Sequence, residues 1–289
     1  MKPAPFDYFA PTSVDEARGL LNQYGDDAKI LAGGQSLVPV MALRLSQPSV
    51  VIDINRLREL DYIRDDAHGL AIGAITRHRT VERSPQVREK APLLSAAIEW
   101  IGHPQIRNRG TIGGSLAHAD PAAELPALAV ALDATFTVTN ASGAKRTLKA
   151  SDFFVSYLTT ELAADDLLSE VYFPSLPAGM GWSFKEIARR HGDFALVGVA
   201  ATVGLDGAGA CSDVRVALFG VAPTAVRAPG AEQALLGQKP GEQAIAAAAA
   251  AIASDIEPPA DVHASAAYRV YVATNLVRQA LTEAVQRAQ

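Results

Sequence analysis

The chain has 289 residues, of which 49% are hydrophobic and 20% charged, a composition that is typical of a folded globular protein and excludes a disordered one. Its formal net charge of −5 gives no reason to expect a nucleic acid as a partner. A chain of this length can bury substantial cores, and we expect it to divide into two or three lobes.

The first part of the chain alternates between helix and strand. Ser13, with Glu16 three residues on, has the pattern of a capping box at a helix N-terminus. Short apolar runs with β-branched residues predict strands. In chain order, the sequence predicts a helix over residues 14–24, a strand over 29–32, an apolar stretch over 37–45 whose early proline suits a helix, and a strand over 49–54.

A second part begins near Leu57 and ends at a segment rich in proline and glycine. Its predicted elements are a strand over 70–75, helices over 76–81, 91–101 and 125–132, a strand over 135–139 and a strand over 167–173. The pattern over 155–169 fits neither type. Pro174, Pro177, Gly179 and Gly181 mark a linker.

The last part of the chain opens with a hairpin signal. Two predicted strands, over 195–205 and 214–221, are joined by the turn-forming residues 206–209. The remainder is rich in alanine, the residue with the highest helix propensity, and is predicted to be helical.

The N-terminus and the cysteine count bear on the protein's compartment and on its metal sites. Residues 1–7 contain prolines and an acid where a signal peptide needs an apolar run, and the longest apolar stretch, residues 244–253, is half a membrane span. We therefore expect a cytoplasmic protein without a membrane span. Cys211 alone cannot supply the four thiolates of a [2Fe–2S] cluster, and the six histidines show no paired ligand spacing, so we expect no metal site on this chain.

Two glycine-rich runs are the most informative feature of the sequence. They are AGGQS at residues 32–36 and TIGGS at residues 111–115, and each is predicted to be a tight turn between regular elements. Adjacent glycines let backbone N–H groups approach an anion closely. Neither run has the G-x-G-x-x-G pattern of a nicotinamide dinucleotide site, and either one alone is more simply an ordinary turn. Together, with Ser36 and Ser115 closing them, they indicate a ligand with two adjacent phosphates held from both sides.

The residues around these runs resemble a known family. AGGQSL and TIGGSLAHADPAAELPA are similar to the FAD-binding medium subunits of the molybdenum hydroxylases, which include the flavoprotein subunits of carbon monoxide dehydrogenase and of bacterial xanthine dehydrogenase-like enzymes. The resemblance extends from FDY at residues 6–8 to GDF at residues 192–194, and therefore covers most of the chain.

The resemblance implies an α+β fold in two domains. The first, over residues 1–176, is a two-lobed FAD-binding domain of the vanillyl-alcohol-oxidase-like, PCMH type, with lobes at about 1–56 and 57–176. The second, over residues 178–289, is an antiparallel sheet with helices, like the C-terminal domain of carbon monoxide dehydrogenase flavoproteins.

The resemblance also implies a set of cofactor-binding residues. The two loops would clasp the FAD pyrophosphate, mainly through backbone N–H groups, with hydroxyls from Ser36, Thr111 and Ser115. Glu124 would contact the adenosine end, Leu168 and Lys185 would line the flavin end, and Phe194 would shield one face of the ring. The full set is Ala32, Gly33, Gly34, Gln35, Ser36, Leu37, Thr111, Ile112, Gly113, Gly114, Ser115, His118, Asp120, Glu124, Leu168, Lys185 and Phe194.

Several of these residues have structural alternatives. Asp120 could instead cap the helix that contains Glu124, Lys185 could be an exposed strand lysine, and Phe194 could be a core residue. Arg107 and Arg109, just before the second loop, more simply pair with a structural carboxylate or a partner subunit than with phosphate.

Gln35 stands where some relatives with related architecture have a histidine that bonds FAD covalently. The resemblance therefore implies non-covalent FAD. No Glu, His or Cys emerges as a catalytic base, so we predict no catalytic residue on this chain.

The function implied is electron transfer within an oxidoreductase complex. The molybdenum cofactor would lie on a large subunit and [2Fe–2S] clusters on a small one, in a dimer of heterotrimers, and FAD on this chain would pass electrons to an external acceptor. Alternatives are a free-standing FAD-dependent oxidoreductase and a non-catalytic assembly subunit without flavin.

Overall fold

The computed structural model describes all 289 residues and arranges the strands in three sheets and one small hairpin. The first sheet is parallel, and its middle strand is the last of the three in sequence. Its strands are β1 (Asp7–Phe9), β2 (Ala28–Leu31) and β3 (Val50–Asp53).

Helix α1 (Val14–Tyr24) connects β1 to β2 and matches the predicted range. The Ser13 hydroxyl accepts a hydrogen bond from the Glu16 N–H at 3.2 Å, which caps the helix. The Glu16 carboxylate accepts from the Thr12 N–H at 2.7 Å instead of from the Ser13 N–H that a capping box uses. The helix N-terminus was therefore predicted correctly, but its acidic residue bonds one position earlier.

Eight short helices follow α1. They are α2 (Leu37–Ala42), α3 (His78–Arg83), α4 (Pro85–Lys90), α5 (Pro92–Ala97), α6 (Pro104–Arg107), α7 (Ile112–His118), α8 (Glu124–Ala131) and α9 (Ala150–Phe153). The predicted helix over 91–101 is α5 followed by a 3-10 turn at Ile98–Trp100.

The second sheet is antiparallel and has five strands. In chain order they are β4 (Ile63–Asp65), β5 (Gly69–Gly73), β6 (Thr135–Thr139), β7 (Lys145–Lys149) and β10 (Leu167–Pro174), and the hairpin of β8 (Phe154–Ser156) and β9 (Thr159–Thr160) precedes the last of them. Strand β10 is central, with β5 on one side and β6 on the other. Because β5 and β10 are adjacent, the sheet brings residues 69–73 next to residues 167–174, near the two ends of the segment that forms it.

The third sheet is antiparallel and carries helices on one face. It contains β11 (Gly181–Ala188), β12 (Ala195–Leu205), β13 (Cys211–Phe219) and β14 (Val226–Arg227), followed by α10 (Pro229–Leu235), α11 (Glu242–Ala251) and α12 (Ala266–Ala288). The predicted hairpin at residues 206–209 joins β12 to β13. The α+β class and the antiparallel sheet with helices at the C-terminal end are confirmed.

The third sheet is buried on both faces. Phe184 and Phe219 belong to a core of 34 buried residues that also contains the second sheet and α8. Val197 and Val199 belong to another core of 24 residues, which packs under α10, α11 and α12. The third sheet thus connects the two larger cores of the molecule.

No helix of the chain combines the length and the apolarity that a membrane-spanning helix needs.

Candidate functional site

The first glycine loop, residues 32–36, connects β2 to α2. Gly34 has a φ of +74°, a left-handed conformation that glycine adopts without strain. No group of the protein accepts a hydrogen bond from the backbone N–H groups of residues 32–36. The loop therefore presents a run of unpaired donors, as anion-binding loops do.

The second glycine run is not the predicted tight turn but the first turn of α7, with Thr111 as its N-cap. Its N–H groups already have acceptors in the protein: Ile112 donates to Thr76 O (3.0 Å), Gly113 to Ala74 O (2.8 Å), Gly114 to Thr111 Oγ1 (3.1 Å) and Ser115 to Thr111 O (3.0 Å). The expectation that this run offers free N–H donors is therefore wrong.

The second run can still offer hydroxyl groups. The Ser115 hydroxyl forms no hydrogen bond within the protein, and the Thr111 hydroxyl, which accepts from Gly114, keeps its own proton to donate. The Ser36 hydroxyl at the end of the first loop is also without a partner. The two loops thus contribute different donors, backbone N–H groups from the first and hydroxyls from the second.

The two loops lie in direct contact, and their glycines make that contact possible. A Cβ added to Gly33 would lie 2.5 Å from the Arg109 carbonyl oxygen, and one added to Gly114 would lie 3.3 Å from the Ala32 Cβ. At Gly113 the added Cβ would lie 2.5 Å from the Cβ of Ala74, at the end of β5. These three glycines therefore leave room for neighbouring protein atoms, not for a ligand.

A buried histidine bonds to the backbone where the second run begins. The backbone N–H of His78 donates to Gly110 O at 2.9 Å, and its ring Nε2 lies 3.0 Å from Thr111 O. Because a carbonyl only accepts, Nε2 carries the proton. Burial lowers the pKa of His78 to about 4, so the ring is neutral at pH 7.

Arg107 has the structural role that the sequence left open. Its guanidinium is buried, pairs with Glu82 at 3.1 Å and donates to the carbonyl oxygens of Glu99, Ile101 and Gly102. The Arg109 side chain is exposed and forms no ion pair, while its carbonyl oxygen faces the first loop. Neither arginine is assigned to a ligand.

Three side chains that hold the loops were not predicted: Asn55, Arg77 and His78. Asn55 follows the end of β3 by two residues, and the other two follow the end of β5 by four and five. Their only signal in the sequence is that position, just beyond a strand end, where binding loops often begin.

The polar residues after α7 form a turn of their own. Asp120 Oδ1 accepts from the Ala122 N–H at 2.9 Å, and Ala123, not Asp120, is the N-cap of α8. The alternative that Asp120 caps this helix is therefore wrong. His118 Nε2 lies 4.0 Å from Asp120 Oδ2.

Two buried carboxyl groups lie close together beside this turn. Burial, with the charge of Asp120 adding to it, raises the pKa of Glu124 to about 7. Burial and the charge of Glu124 raise the pKa of Glu186, on β11, to about 8. Glu186 Oε2 has no hydrogen-bond partner. No basic side chain is among the groups that shift either pKa, and the unpaired Glu186 oxygen can bond a further hydroxyl.

The three residues expected at the flavin end are in different surroundings. Leu168 is 5% exposed in the core of the second sheet, opposite Val138. Lys185 forms an ion pair with Glu283 of α12, on the helix-covered side of the third sheet. The structure thus gives Lys185 a protein partner that the sequence did not indicate.

Phe194 is exposed. Its side chain is 66% accessible, so the alternative of a core phenylalanine is wrong. A Cβ added to Gly192 in the same turn would lie 2.5 Å from His103 Cε1, so the turn packs against the chain just before α6. An exposed aromatic ring held in this way can stack on a flat ligand.

Family models match nearly the whole chain. Residues 4–176 match the FAD binding domain in molybdopterin dehydrogenase, and residues 182–284 match the CO dehydrogenase flavoprotein C-terminal domain.

Curated relatives are similar over their full length. The 6-hydroxypseudooxynicotine dehydrogenase complex subunit alpha of Paenarthrobacter nicotinovorans is 46% identical over 100% of this chain and 97% of its own. The carbon monoxide dehydrogenase medium chain of Hydrogenophaga pseudoflava is 42% identical over 99% of both chains.

Solved structures share the fold. Carbon monoxide dehydrogenase from Hydrogenophaga pseudoflava, in a form that lacks the Mo-pyranopterin moiety, superimposes with a TM-score of 0.96 at 44% identity over 99% of both chains. Quinoline 2-oxidoreductase from Pseudomonas putida 86 gives a TM-score of 0.94 at 38% identity over 100% of this chain and 99% of the other.

Proposed function

Because the chain belongs to the FAD-binding medium subunits of the molybdenum hydroxylases, we propose that it holds FAD between its two glycine loops and passes electrons to an external acceptor. The observation that carries the binding site is the run of unpaired N–H groups at residues 32–36, beside the unpaired hydroxyls of Ser36 and Ser115. This donor set suits a diphosphate, which offers only acceptors and carries negative charge.

The residues of this chain would bind FAD, orient it and shield one face of its ring. Loop 32–36 would bind the pyrophosphate through its N–H groups, and Thr111 and Ser115 would add hydroxyl donors. Glu124 would accept hydrogen bonds from ribose hydroxyls, and Phe194 would cover one face of the ring. Leu37, Ile112, His118, Asp120, Leu168 and Lys185 stay predictions as further contacts. Bound FAD supplies the ability to take electrons singly and release them in pairs.

The partners follow from the family. We propose a large subunit with the molybdenum cofactor and a small subunit with [2Fe–2S] clusters, assembled with this chain as a dimer of heterotrimers in the cytoplasm. Several relatives bear names that describe subunits of complexes, among them the nicotine 6-hydroxylase medium subunit of Paenarthrobacter nicotinovorans. The substrate would bind on the large subunit.

The proposal is tested by titrating the flavin-stripped, full-length chain with FAD, and separately with FMN. We expect tight FAD binding and weak FMN binding, because FMN lacks the second phosphate that the loops would hold. Comparable affinities would contradict the pyrophosphate site, and a chain that binds neither would support the assembly-subunit alternative. Denaturing the FAD-loaded chain should release all of its flavin, since Gln35 provides no histidine for a covalent bond.

Association with partner subunits distinguishes the proposal from a free-standing oxidoreductase. Stable co-purification with a large and a small subunit is expected. A flavin-loaded chain that is isolated alone and reduced directly by a small organic substrate would favour a free-standing oxidoreductase.

A further inference from the structure

Two side chains connect the glycine loops to each other. Asn55 donates from Nδ2 to the Ala32 carbonyl oxygen of the first loop at 2.7 Å. Its Oδ1 accepts from one terminal nitrogen of Arg77 at 2.6 Å. The other terminal nitrogen of Arg77 donates to the Arg109 carbonyl oxygen, immediately before the second run. One amide and one guanidinium therefore form a continuous bridge between the two loops.

The bridge is anchored in the first sheet. Asp53 Oδ1, at the end of β3, accepts from the Asn55 N–H at 2.9 Å and also from its side-chain amide, which fixes the orientation of that amide. Asp53 Oδ2 accepts from the Tyr8 hydroxyl at 2.6 Å. Burial alone would raise the pKa of Asp53, but the hydrogen bonds from Tyr8 and Asn55 outweigh it and lower the pKa, so the acceptor is ionised.

The bridge is also anchored at the second sheet. Arg77 lies just after β5 and pairs through its backbone with Thr111 in an isolated β-bridge. Its side chain is half-buried and forms no salt bridge with any carboxylate. Its positive charge therefore remains at the junction of the loops, where it favours a nearby anion.

Holding a carbonyl also orients the next N–H. A trans peptide is planar, so its C=O and N–H point in opposite directions. Because Asn55 fixes the Ala32 carbonyl, the Gly33 N–H must point away from Asn55. Arg77 fixes the Arg109 carbonyl, against which Gly33 packs at a distance that admits no side chain. The bridge thus sets both the direction of the loop's donors and the separation of the two loops.

We infer that Asn55 and Arg77 are positioning residues that fix the spacing of the two glycine loops, and that they thereby select a flavin with a diphosphate over flavins without one. The inference rests on the proposed function. Neither side chain needs to touch the flavin, because both act through the loop backbones that they hold.

The experiment measures the dissociation constants of FAD and riboflavin for the flavin-stripped, full-length chain and its variants. Arg77→Lys keeps the charge but replaces the planar guanidinium, whose two terminal nitrogens reach separate acceptors, by a single nitrogen. Asn55→Ala removes both the donor and the acceptor of the amide. We expect each to weaken FAD binding about tenfold or more, roughly the loss of one hydrogen-bonded connection, and to change riboflavin binding by about twofold at most. The matched control is Arg58→Met, which removes an exposed, unpaired charge that acts on Arg77 without cutting the bridge.

The double variant Asn55→Ala/Arg77→Lys adds a second readout. If the two residues act as one bridge, the double variant binds FAD no more weakly than the worse single variant within about threefold, because either change alone already breaks the connection. Losses that multiply would overturn the inference.

The outcomes separate the inference from the proposed function. Wild-type chain that binds no FAD contradicts the proposed function itself. Tight wild-type binding that both single variants retain, or equal losses for FAD and riboflavin, overturns the positioning role alone. Melting temperatures of the flavin-free proteins identify a variant that is merely misfolded. If Asn55→Ala fails to fold, Arg77→Lys alone tests the inference: a lower ratio of FAD to riboflavin affinity than in the wild type supports it, and an unchanged ratio overturns it.

Discussion

At the level of single residues, the first loop depends on one backbone angle. Gly34 has a φ of +74°, and a Cβ there would lie 3.1 Å from Val38 Cγ2 and 3.2 Å from Leu31 Cδ1. The two contacts are tight, and the angle itself is strained for any residue with a side chain. The loop's unpaired N–H groups keep their directions only while this angle holds.

Gly34→Ala should therefore weaken FAD binding about five- to thirtyfold, which corresponds to a strain of about 1–2 kcal/mol in the left-handed region. The measurement is a fluorescence titration of the flavin-stripped chain. Gly19→Ala is the control, because Gly19 lies in α1 with no atom within 4 Å of its added Cβ. Equal affinities in the two variants would show that the Gly34 conformation does not control the site.

His78 should make the stability of the chain depend on pH under acidic conditions. Its folded pKa of about 4 lies below the ordinary value of 6.5, so its contribution is present above pH 6.5 and is lost as the pH falls towards 4. His78→Gln keeps a side-chain donor for Thr111 but does not titrate. We expect the melting temperature of the wild type to fall more steeply than that of the variant between pH 7 and pH 5. Parallel curves would mean that the ring is not held neutral; His263→Gln, at an exposed position, should follow the wild type.

Glu186 should make the stability of the chain depend on pH in the opposite direction, under basic conditions. Its folded pKa of about 8 lies above the ordinary 4.5, so the stability that its neutral form contributes is complete below pH 4.5 and is lost as the pH rises through 8. Glu186→Gln is neutral at every pH. In the flavin-free chain we expect similar melting temperatures at pH 5 and a variant that melts a few degrees higher at pH 8.5. A variant that gains nothing at pH 8.5 would contradict the buried carboxyl pair; Glu242→Gln, on the exposed side of α11, is the control.

At the level of elements, the two glycine runs differ although their sequences look alike. In the first, the run ends a strand and its N–H groups remain unpaired. In the second, Thr111 caps a helix that begins inside the run, so the N–H groups of the run donate to acceptors of the protein. The second run should therefore be formed before any ligand arrives, whereas the first should gain its hydrogen bonds from the ligand.

Amide hydrogen exchange tests this difference. We expect the N–H groups of residues 33–36 to exchange rapidly in the flavin-free chain and to become protected with FAD bound. Those of residues 112–115 should be protected in both states, because their acceptors belong to the protein. Rapid exchange at residues 112–115 without flavin would contradict this, and α1 provides an internal reference.

The elements that the sequence predicted well carry their own local signals. Helix α1 begins after Ser13 and ends at Gly25, and β12 and β13 are long apolar strands around a clear turn. Strands β1 and β11 had no such signal, because β1 has three residues and β11 carries Lys185 and Glu186 in its middle. The second run was mistaken for a turn because its helix depends on a tertiary contact, the packing of Gly113 on Ala74.

The same distinction holds in the candidate site. The loops were found because paired glycines and a family resemblance mark them. Asn55, Arg77 and His78 were missed because each bonds the backbone of a residue at least 23 positions away, which no local pattern reveals.

At the level of the whole molecule, the third sheet is part of the same core as the second. That core of 34 residues takes Phe184, Ala195 and Phe219 from the third sheet and packs them with α8 and β10. The parts of the chain before and after the linker therefore share buried surface, whatever their boundary in sequence.

A chain ending at residue 176 should therefore fold poorly, because it would expose the apolar face that the third sheet covers. We expect it to aggregate, or to bind a hydrophobic dye and to lose the cooperative melting of the full chain. A truncated chain that is monomeric and melts cooperatively would show that the first two sheets do not need the third.

The two glycine runs are in contact, although the first follows β2 of the first sheet and the second begins α7, which packs on the end of β5 in the second sheet. At the proposed site a diphosphate would be held only while both sheets are folded and packed together, so FAD would bind the native chain and not the unfolded one. By mass action, free FAD at a hundred times its dissociation constant adds about 2.7 kcal/mol to the free energy of unfolding. Flavin-free chain would therefore populate the unfolded state more often, and be open to proteolysis more often, than chain loaded with FAD.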